Sequence, residues 1–187
     1  LRKGEKGFLV AGVTPFYGAS GGQVGDAGAV KSPTGEADVT DSLKPSANLT
    51  VHVITVTEGE LFLDSEVGLL VMEGPRKAAA RNHTATHLLH ASLRKVLGSH
   101  VHQAGSLVEP VRLRFAFTHM TAMTPEELDA VEAGVNAAIL ADIALETEEM
   151  AYDAAIGKGV TAPFGEKYVA VVRVVCVPCD SLVLCGC

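Results

Sequence analysis

Two histidines four positions apart constrain the fold of this chain more than any other feature. They lie in Arg81-Asn82-His83-Thr84-Ala85-Thr86-His87-Leu88-Leu89-His90, inside an Ala- and Leu-rich stretch that predicts a helix from Arg76 to Leu97 with Gly98 at its end. Residues four apart lie one above the other on a helix face, so both imidazoles can reach one metal ion. Helix-borne His-x3-His is a recurrent half-site for zinc. The alternative is a pair of ordinary polar or core histidines.

The residues before this helix predict short β-strands. The segment from Phe8 to Val13 is apolar and stops at Thr14-Pro15, and the segment from Leu49 to Val56 alternates along the chain. Glycines and Gly74-Pro75 punctuate the rest. Several short strands with turn signals predict a small β-barrel or sandwich.

The residues after Arg76 mix helices and strands. Leu113, Phe115 and Phe117 alternate with more polar neighbours, which predicts a half-buried strand. Thr124-Pro125-Glu126-Glu127 is a helix start with an N-cap threonine and a capping-box glutamate. Apolar residues predict the buried face of that helix: Leu128, Val131, Val135 and Ala138. Further elements are expected at Ala144–Met150 (strand), Tyr152–Lys158 (short helix) and Tyr168–Val177 (strand).

These elements predict an α+β fold in two parts. Residues 1–75 would form a small β-barrel-like subdomain. Residues 76–187 would form a zinc-binding α+β subdomain with a mixed or antiparallel sheet and packed helices.

Composition narrows the class of protein. No apolar run approaches the roughly 20 residues of a membrane span, and the N-terminus lacks the features of a signal peptide. We therefore expect a soluble cytoplasmic protein without a membrane partner; because Met is missing at position 1, a fragment or processed piece is expected.

The net charge of −7 argues against a module held to nucleic acid by a basic surface. This charge remains compatible with a local basic patch of the protein that contacts RNA. The candidate residues for such a patch are Arg76, Lys77, Arg81, Arg94, Lys95, Arg112 and Arg114.

All four cysteines lie near the end of the chain, at positions 176, 179, 185 and 187. In a cytosolic protein such clustering indicates metal or redox chemistry rather than disulfides. A four-cysteine zinc knuckle is one possibility, although the spacing between the two pairs is short for it.

Several ordered motifs along the whole chain resemble the editing domain of alanyl-tRNA synthetase. The motifs on which the resemblance rests are Thr14-Pro15-Phe16-Tyr17, Ser20-Gly21-Gly22-Gln23-Val24-Gly25-Asp26-Ala27-Gly28, His83-Thr84-Ala85-Thr86-His87, Gln103-Ala104-Gly105-Ser106-Leu107-Val108, Arg114-Phe115-Ala116-Phe117-Thr118-His119, Phe164-Gly165-Glu166-Lys167-Tyr168 and Leu184-Cys185-Gly186. Free-standing alanyl-tRNA editing proteins share these motifs, as does, more distantly, the editing domain of threonyl-tRNA synthetase. The resemblance implies hydrolysis of the ester bond that joins serine or glycine to a mischarged tRNA(Ala). It also implies that the remainder of a synthetase chain is a partner.

The resemblance implies that Zn²⁺ is held by His83, His87 and Cys185. In the family the fourth ligand is a histidine four residues after that cysteine, which lies beyond Cys187. Water, substrate or Cys187 could stand in for it.

The resemblance also implies roles for residues around the metal. Thr86 matches a position involved in amino-acid discrimination, and Gln103 matches a second active-site position. Gly21, Gly22 and Gln23 would approach the RNA 3′ end. Each has a structural alternative. Thr86 could simply bond to a helix carbonyl, Gln103 could be a surface amide, and the two glycines could serve only to form a turn.

The chain departs from the family by losing acidic residues at Ala19, Ala116 and Ala170, which can remove hydrogen bonds that orient metal ligands. A non-catalytic tRNA-binding or degenerate editing module, without a complete zinc site, is therefore the alternative function. A peptide hydrolase is less favoured, because the His-Glu-x2-His motif of such enzymes would place glutamate where Thr84 stands.

Overall fold

The structure is a computed structural model that describes residues 1–144, 146–157, 171–177 and 181–185. For residues 173, 176, 177 and 181–185 it describes the backbone alone. In chain order the elements are β1 (Lys6–Leu9), β2 (Gly28–Lys31), β3 (Gly35–Ser46), β4 (Leu49–Gly59), β5 (Gly68–Val71), α1 (Glu73–Leu97), β6 (Gln103–Val108), β7 (Leu113–Phe117), α2 (Pro125–Leu140), β8 (Glu146–Ala151), α3 (Tyr152–Gly157), β9 (Val171–Val177) and β10 (Ser181–Cys185). The mixed α+β class expected from the sequence is confirmed.

The chain divides into two compact units. The first consists of Leu1–Ala80 and Glu109–Val111, and the second of Arg81–Val108 and Arg112–Cys187. Helix α1 begins in the first unit and continues into the second. Compactness does not show that a segment folds independently, so the predicted subdomain boundary at residues 75 and 76 stays a prediction.

The first unit contains a five-stranded antiparallel sheet with the order β1-β4-β3-β2-β5. Its core is formed by the buried residues Phe16, Val30, Ala37, Val39, Ile54, Val56 and Leu61. The edge strands β1 and β5 have four residues each and do not pair with each other in the part of the chain that is described. The barrel expected for residues 1–75 is therefore not observed as a closed barrel, because two such short edge strands leave the sheet open.

In the second unit α1 and α2 share a core with β7, the second strand of the β6–β7 hairpin. The buried core here consists of Leu93, Val101 and Val131. The predicted capping box is confirmed: the Thr124 hydroxyl accepts from the Glu127 N–H, and the Glu127 carboxylate accepts from the Thr124 N–H. Strands β8, β9 and β10 form a separate antiparallel sheet in the order β10-β9-β8.

Two details of the helices differ from expectation. Helix α1 begins at Glu73 rather than Arg76, because Pro75 falls in the first turn, where the missing N–H costs no hydrogen bond. On α2, Leu128 is 53% exposed although the pattern predicts it buried. Only a narrow stripe of that helix, centred on Val131, reaches the core.

We expect Gly134→Ala to destabilise the chain by about 1–2 kcal/mol, although alanine is the better helix former by about 1 kcal/mol. A methyl group at Gly134 would lie 2.5 Å from the Ser92 hydroxyl oxygen, which donates to the Val131 carbonyl across the two helices at 3.0 Å. Urea unfolding would measure the loss. The double variant Ser92→Ala/Gly134→Ala should recover stability; additive losses would show that the clash is not the cause.

Candidate metal centre and neighbouring sites

His83 and His87 lie one turn apart on α1 with their imidazole rings 5.2 Å apart, centre to centre, and tilted by 30°. The Nε2 atom of His87 is buried and has no hydrogen-bond partner among the described residues. A buried polar atom without a partner costs about 1–3 kcal/mol, so such an atom requires an explanation. A bound cation would provide one, because a ring nitrogen with a free lone pair is a metal ligand. The pair thus fits one half of a zinc site.

The other predicted ligand, Cys185, is the last residue of β10, where its backbone pairs with Arg173 of β9. Its side chain lies outside the described part of the structure, as does all of Cys187. Within the described residues, no three His, Cys, Asp or Glu side chains are grouped so that they could hold a metal ion. The three-ligand set of His83, His87 and Cys185 therefore stays a prediction.

Three other histidines of the second unit, His90, His100 and His119, have hydrogen-bond partners. His90 is buried against the Phe115 ring, and its Nε2 lies 3.4 Å from the Val101 carbonyl. Burial lowers the pKa of His90, and the nearby Arg94 guanidinium lowers it further. His100 Nε2 and His119 Nδ1 share a hydrogen bond of 3.0 Å. His87 differs from these three residues because no atom in the described part of the structure is hydrogen-bonded to its buried Nε2.

Thr86 is buried, and its hydroxyl donates to the Asn82 carbonyl at 2.9 Å. This is the structural role considered from the sequence, and it leaves the oxygen lone pairs as acceptors. Gln103 begins β6, where its Nε2 donates to the Ser106 hydroxyl at 3.1 Å. The roles of both residues toward a substrate stay predictions.

The glycine-rich segment forms a tight turn. Ser20 and Gln23 exchange two backbone hydrogen bonds, of 3.2 and 2.9 Å, across Gly21 and Gly22. Both glycines have positive φ, +55° and +80°, as a two-residue type I′ turn requires. Gln23 is only 8% exposed. The turn explains the two glycines without a ligand, and contact of this segment with RNA stays a prediction.

An ion pair that sequence reasoning missed fixes this segment. The Asp26 carboxylate is 6% exposed and accepts from the Tyr17 N–H at 2.6 Å. The Arg76 Nε lies 2.8 Å from both Asp26 oxygens, and the Arg76 Nη2 donates to Asp26 and to the Pro15 carbonyl. Hydrogen bonding to Asp26 raises the pKa of Arg76. The aspartate stands in the glycine-rich motif and the arginine near the predicted helix start, but no local pattern links them.

The pairing of Arg76 reduces the expected basic patch. Its neighbour Lys77 forms an exposed ion pair with Glu73, and Arg94 donates to the Val101 carbonyl at 3.0 Å. Three of the seven basic residues expected to contact RNA therefore have partners within their own unit.

Residues 1–73 match the family described as class II tRNA synthetases (A). All of the chain aligns with alanine–tRNA ligases of Oleidesulfovibrio alaskensis, 63% identical over 186 residues, and Nitratidesulfovibrio vulgaris, 59% identical over 186 residues. The ligase of Acetivibrio thermocellus is 50% identical over 185 residues, which cover 99% of the chain. The chain matches a segment of alanine–tRNA ligases. It spans about a fifth, 21%, of the length of each of these relatives.

The synthetase resemblance that the motifs indicated is thus confirmed, while the assignment to an editing domain stays a prediction. Among the helices that the structure describes, none is long and apolar enough to cross a membrane.

Proposed function

We propose that this chain is the editing module of an alanine–tRNA ligase, which hydrolyses seryl-tRNA(Ala) or glycyl-tRNA(Ala) in the cytoplasm. The observation that carries the proposal is the buried Nε2 of His87 beside His83, which has no hydrogen-bond partner within the described part of the chain. All of this chain aligns with a segment of these ligases. The need for such a site is physical. A pocket for alanine cannot strongly exclude glycine, which is smaller, or serine, which adds one hydroxyl, so a second site must remove the errors.

In this proposal His83, His87 and Cys185 hold Zn²⁺. A zinc ion in that position would supply Lewis acidity toward the ester of the charged tRNA. The residues of the chain would position the ligands and the substrate. Helix α1 carries both imidazoles, and its buried residues Leu88 and Leu93 anchor it in the second unit. Positioning can supply much of the rate, because an aminoacyl ester is already reactive.

Thr86 and Gln103 would select the amino acid. The Thr86 hydroxyl oxygen retains lone pairs that can accept a hydrogen bond from a serine side chain. The Gln103 amide would bind polar groups of the substrate, and the turn of Gly21, Gly22 and Gln23 would lie against the RNA 3′ end. The acceptor end of tRNA(Ala) and a small amino-acid ester are thus the proposed partners.

Hydrolysis of seryl-tRNA(Ala), measured together with zinc content, tests the proposal. Both should be measured on this chain and on a form extended past Cys187, which would include the fourth family ligand. Zinc and hydrolysis in either form support the editing function. If both forms lack zinc and also lack hydrolysis, the degenerate module is favoured instead.

We expect Thr86→Val to lower kcat/KM for seryl-tRNA(Ala) about tenfold relative to alanyl-tRNA(Ala), because one hydrogen bond to the serine hydroxyl is lost. Stability should change by less than about 1 kcal/mol, since valine keeps the shape and the hydroxyl bonds only a helix carbonyl. Thr84→Val in the same helix is the matched control. Equal loss for both substrates, together with a lower melting temperature, would show that Thr86 is structural.

A further inference from the structure

The first unit carries a groove with exposed apolar side chains that the proposed editing chemistry does not use. The groove has a volume of about 700 Å³ and is lined mainly by residues 8–13, at the end of β1 and after it, and by residues 61–65 and 67. Its floor includes Leu61 and Ile54, which belong to the core of the sheet. Its walls present large apolar side chains to solvent: Phe8 (72% exposed), Val10 (60%), Val13 (89%), Phe62 (58%) and Leu63 (91%).

The exposure of these side chains is built into the local structure. Phe8 alternates with the half-buried Leu9 on β1, so it must point away from the core. Phe62 and Leu63 lie in a turn where the Ser65 hydroxyl donates to the Phe62 carbonyl at 2.7 Å, and Asp64 has a positive φ of 59°. A fixed turn that holds two large apolar residues in water is a feature of binding surfaces.

The chemistry of the lining favours a polypeptide over nucleic acid. Among the described residues that line the groove, Asp64 alone has a charged side chain, and its carboxylate would repel phosphates. The β1 edge adds backbone groups, since β1 pairs with β4 alone among the described strands. Apolar side chains beside an open strand edge suit another protein segment.

We propose that this groove docks apolar side chains from another part of the same ligase polypeptide. The proposal rests on the chain being a module of a longer ligase, as proposed above; the relatives extend well beyond the 21% of their length that this chain covers. The five wall side chains would bury on the order of 500 Å² per partner, below the roughly 800 Å² of a stable complex between separate proteins. A tethered segment needs less area, because tethering supplies an effective concentration in the millimolar range. The size of the patch therefore favours a segment of the same polypeptide over a second copy.

Hydrogen exchange of residues 8–13 tests the proposal, in this chain alone and in the longer ligase polypeptide that contains it. We expect exchange there to be at least about tenfold slower in the longer polypeptide. Val13→Asp and Leu63→Asp should each abolish that difference without changing exchange in this chain alone. Val111→Asp, equally exposed at 89% but outside the groove, should leave the protection intact.

Equal exchange in both polypeptides would overturn the proposal. So would protection that depends on protein concentration, which indicates a second copy, or protection that requires tRNA. The outcome is independent of the editing chemistry, because deacylation by the Leu63→Asp chain should match the unmodified chain. Protection without any deacylase activity would leave the docking surface standing and the proposed editing function refuted.

Discussion

Replacing His87 by Ala is expected to abolish hydrolysis of seryl-tRNA(Ala) without destabilising the zinc-free chain. Loss of a metal ligand removes several kcal/mol of stabilisation from the transition state, and each 1.4 kcal/mol is tenfold, so we expect at least about a hundredfold loss of rate. His87 Nε2 is buried, and none of the residues that the structure describes forms a hydrogen bond with it. Alanine removes that cost of about 1–3 kcal/mol and favours the helix, which offsets the packing lost with the ring.

Three measurements check this prediction: bound zinc by elemental analysis, single-turnover deacylation, and urea unfolding in the presence of a chelator. His90→Ala on the same helix is the matched control. It should retain zinc but lose about 2–3 kcal/mol of stability, because His90 is 5% exposed and packs on Phe115. Unchanged turnover in His87→Ala would refute the zinc half-site. A zinc-free stability loss as large as that of His90→Ala would identify His87 as a core residue.

Local patterns predicted many of the elements, because their causes lie within a few residues. The strand expected from Phe8 to Val13 is an exception, since β1 runs from Lys6 to Leu9. The Thr124–Glu127 capping box is a contact between residues three apart, and it is present as expected. The alternation from Leu113 to Phe117 follows from the two-residue repeat of a strand, and β7 has these bounds. The glycine after Leu97 ends α1 for a similarly local reason: it carries a positive φ.

Features that depend on distant partners could not be predicted in this way. Closure of a barrel requires two edge strands to meet, and nothing within β1 or β5 encodes that meeting. The exposure of Leu128 depends on how wide a stripe of α2 the rest of the unit covers. Asp26 and Arg76 are fifty positions apart in the chain, and each alone has the usual appearance of a solvated charge. In the candidate site the His-x3-His spacing could be read from the sequence. The absence of a hydrogen-bond partner for His87 Nε2 among the described residues depends on everything packed around α1.

The Asp26–Arg76 pair carries the second large prediction, which concerns stability. We expect Arg76→Ala to lower the free energy of unfolding of the first unit by about 3 kcal/mol. The variant leaves a carboxylate that is 6% exposed with its positive partner gone, and breaking a buried pair on one side costs about 3–5 kcal/mol. The lower end applies because the Arg76 side chain is 36% exposed and water reaches the site from that side.

Urea unfolding of Arg76→Ala and of a double variant without either charge measures this cost. Asp26→Asn/Arg76→Met removes both charges and should be more stable than Arg76→Ala, because no buried charge is left without a partner. Lys77→Ala is the control at the adjacent position. Its ion pair with Glu73 is exposed on both sides, so the change should stay within about 0.5 kcal/mol. Equal losses for Arg76→Ala and Lys77→Ala would mean that the buried pair contributes no more than an exposed one.

The same variants separate a structural from a functional role of the glycine-rich turn. Arg76 donates hydrogen bonds to the Pro15 carbonyl and to Asp26, and Asp26 accepts one from the Tyr17 N–H. The pair therefore fixes both ends of the segment that contains Gly21, Gly22 and Gln23. If that turn positions the RNA 3′ end as proposed, Arg76→Ala should raise KM for seryl-tRNA(Ala) severalfold more than it lowers kcat, at temperatures where the variant remains folded. Arg76→Lys, which keeps a donor and a charge, should restore part of the KM. A loss of stability with both kinetic constants unchanged would show that the turn serves the sheet alone and that the RNA end binds elsewhere.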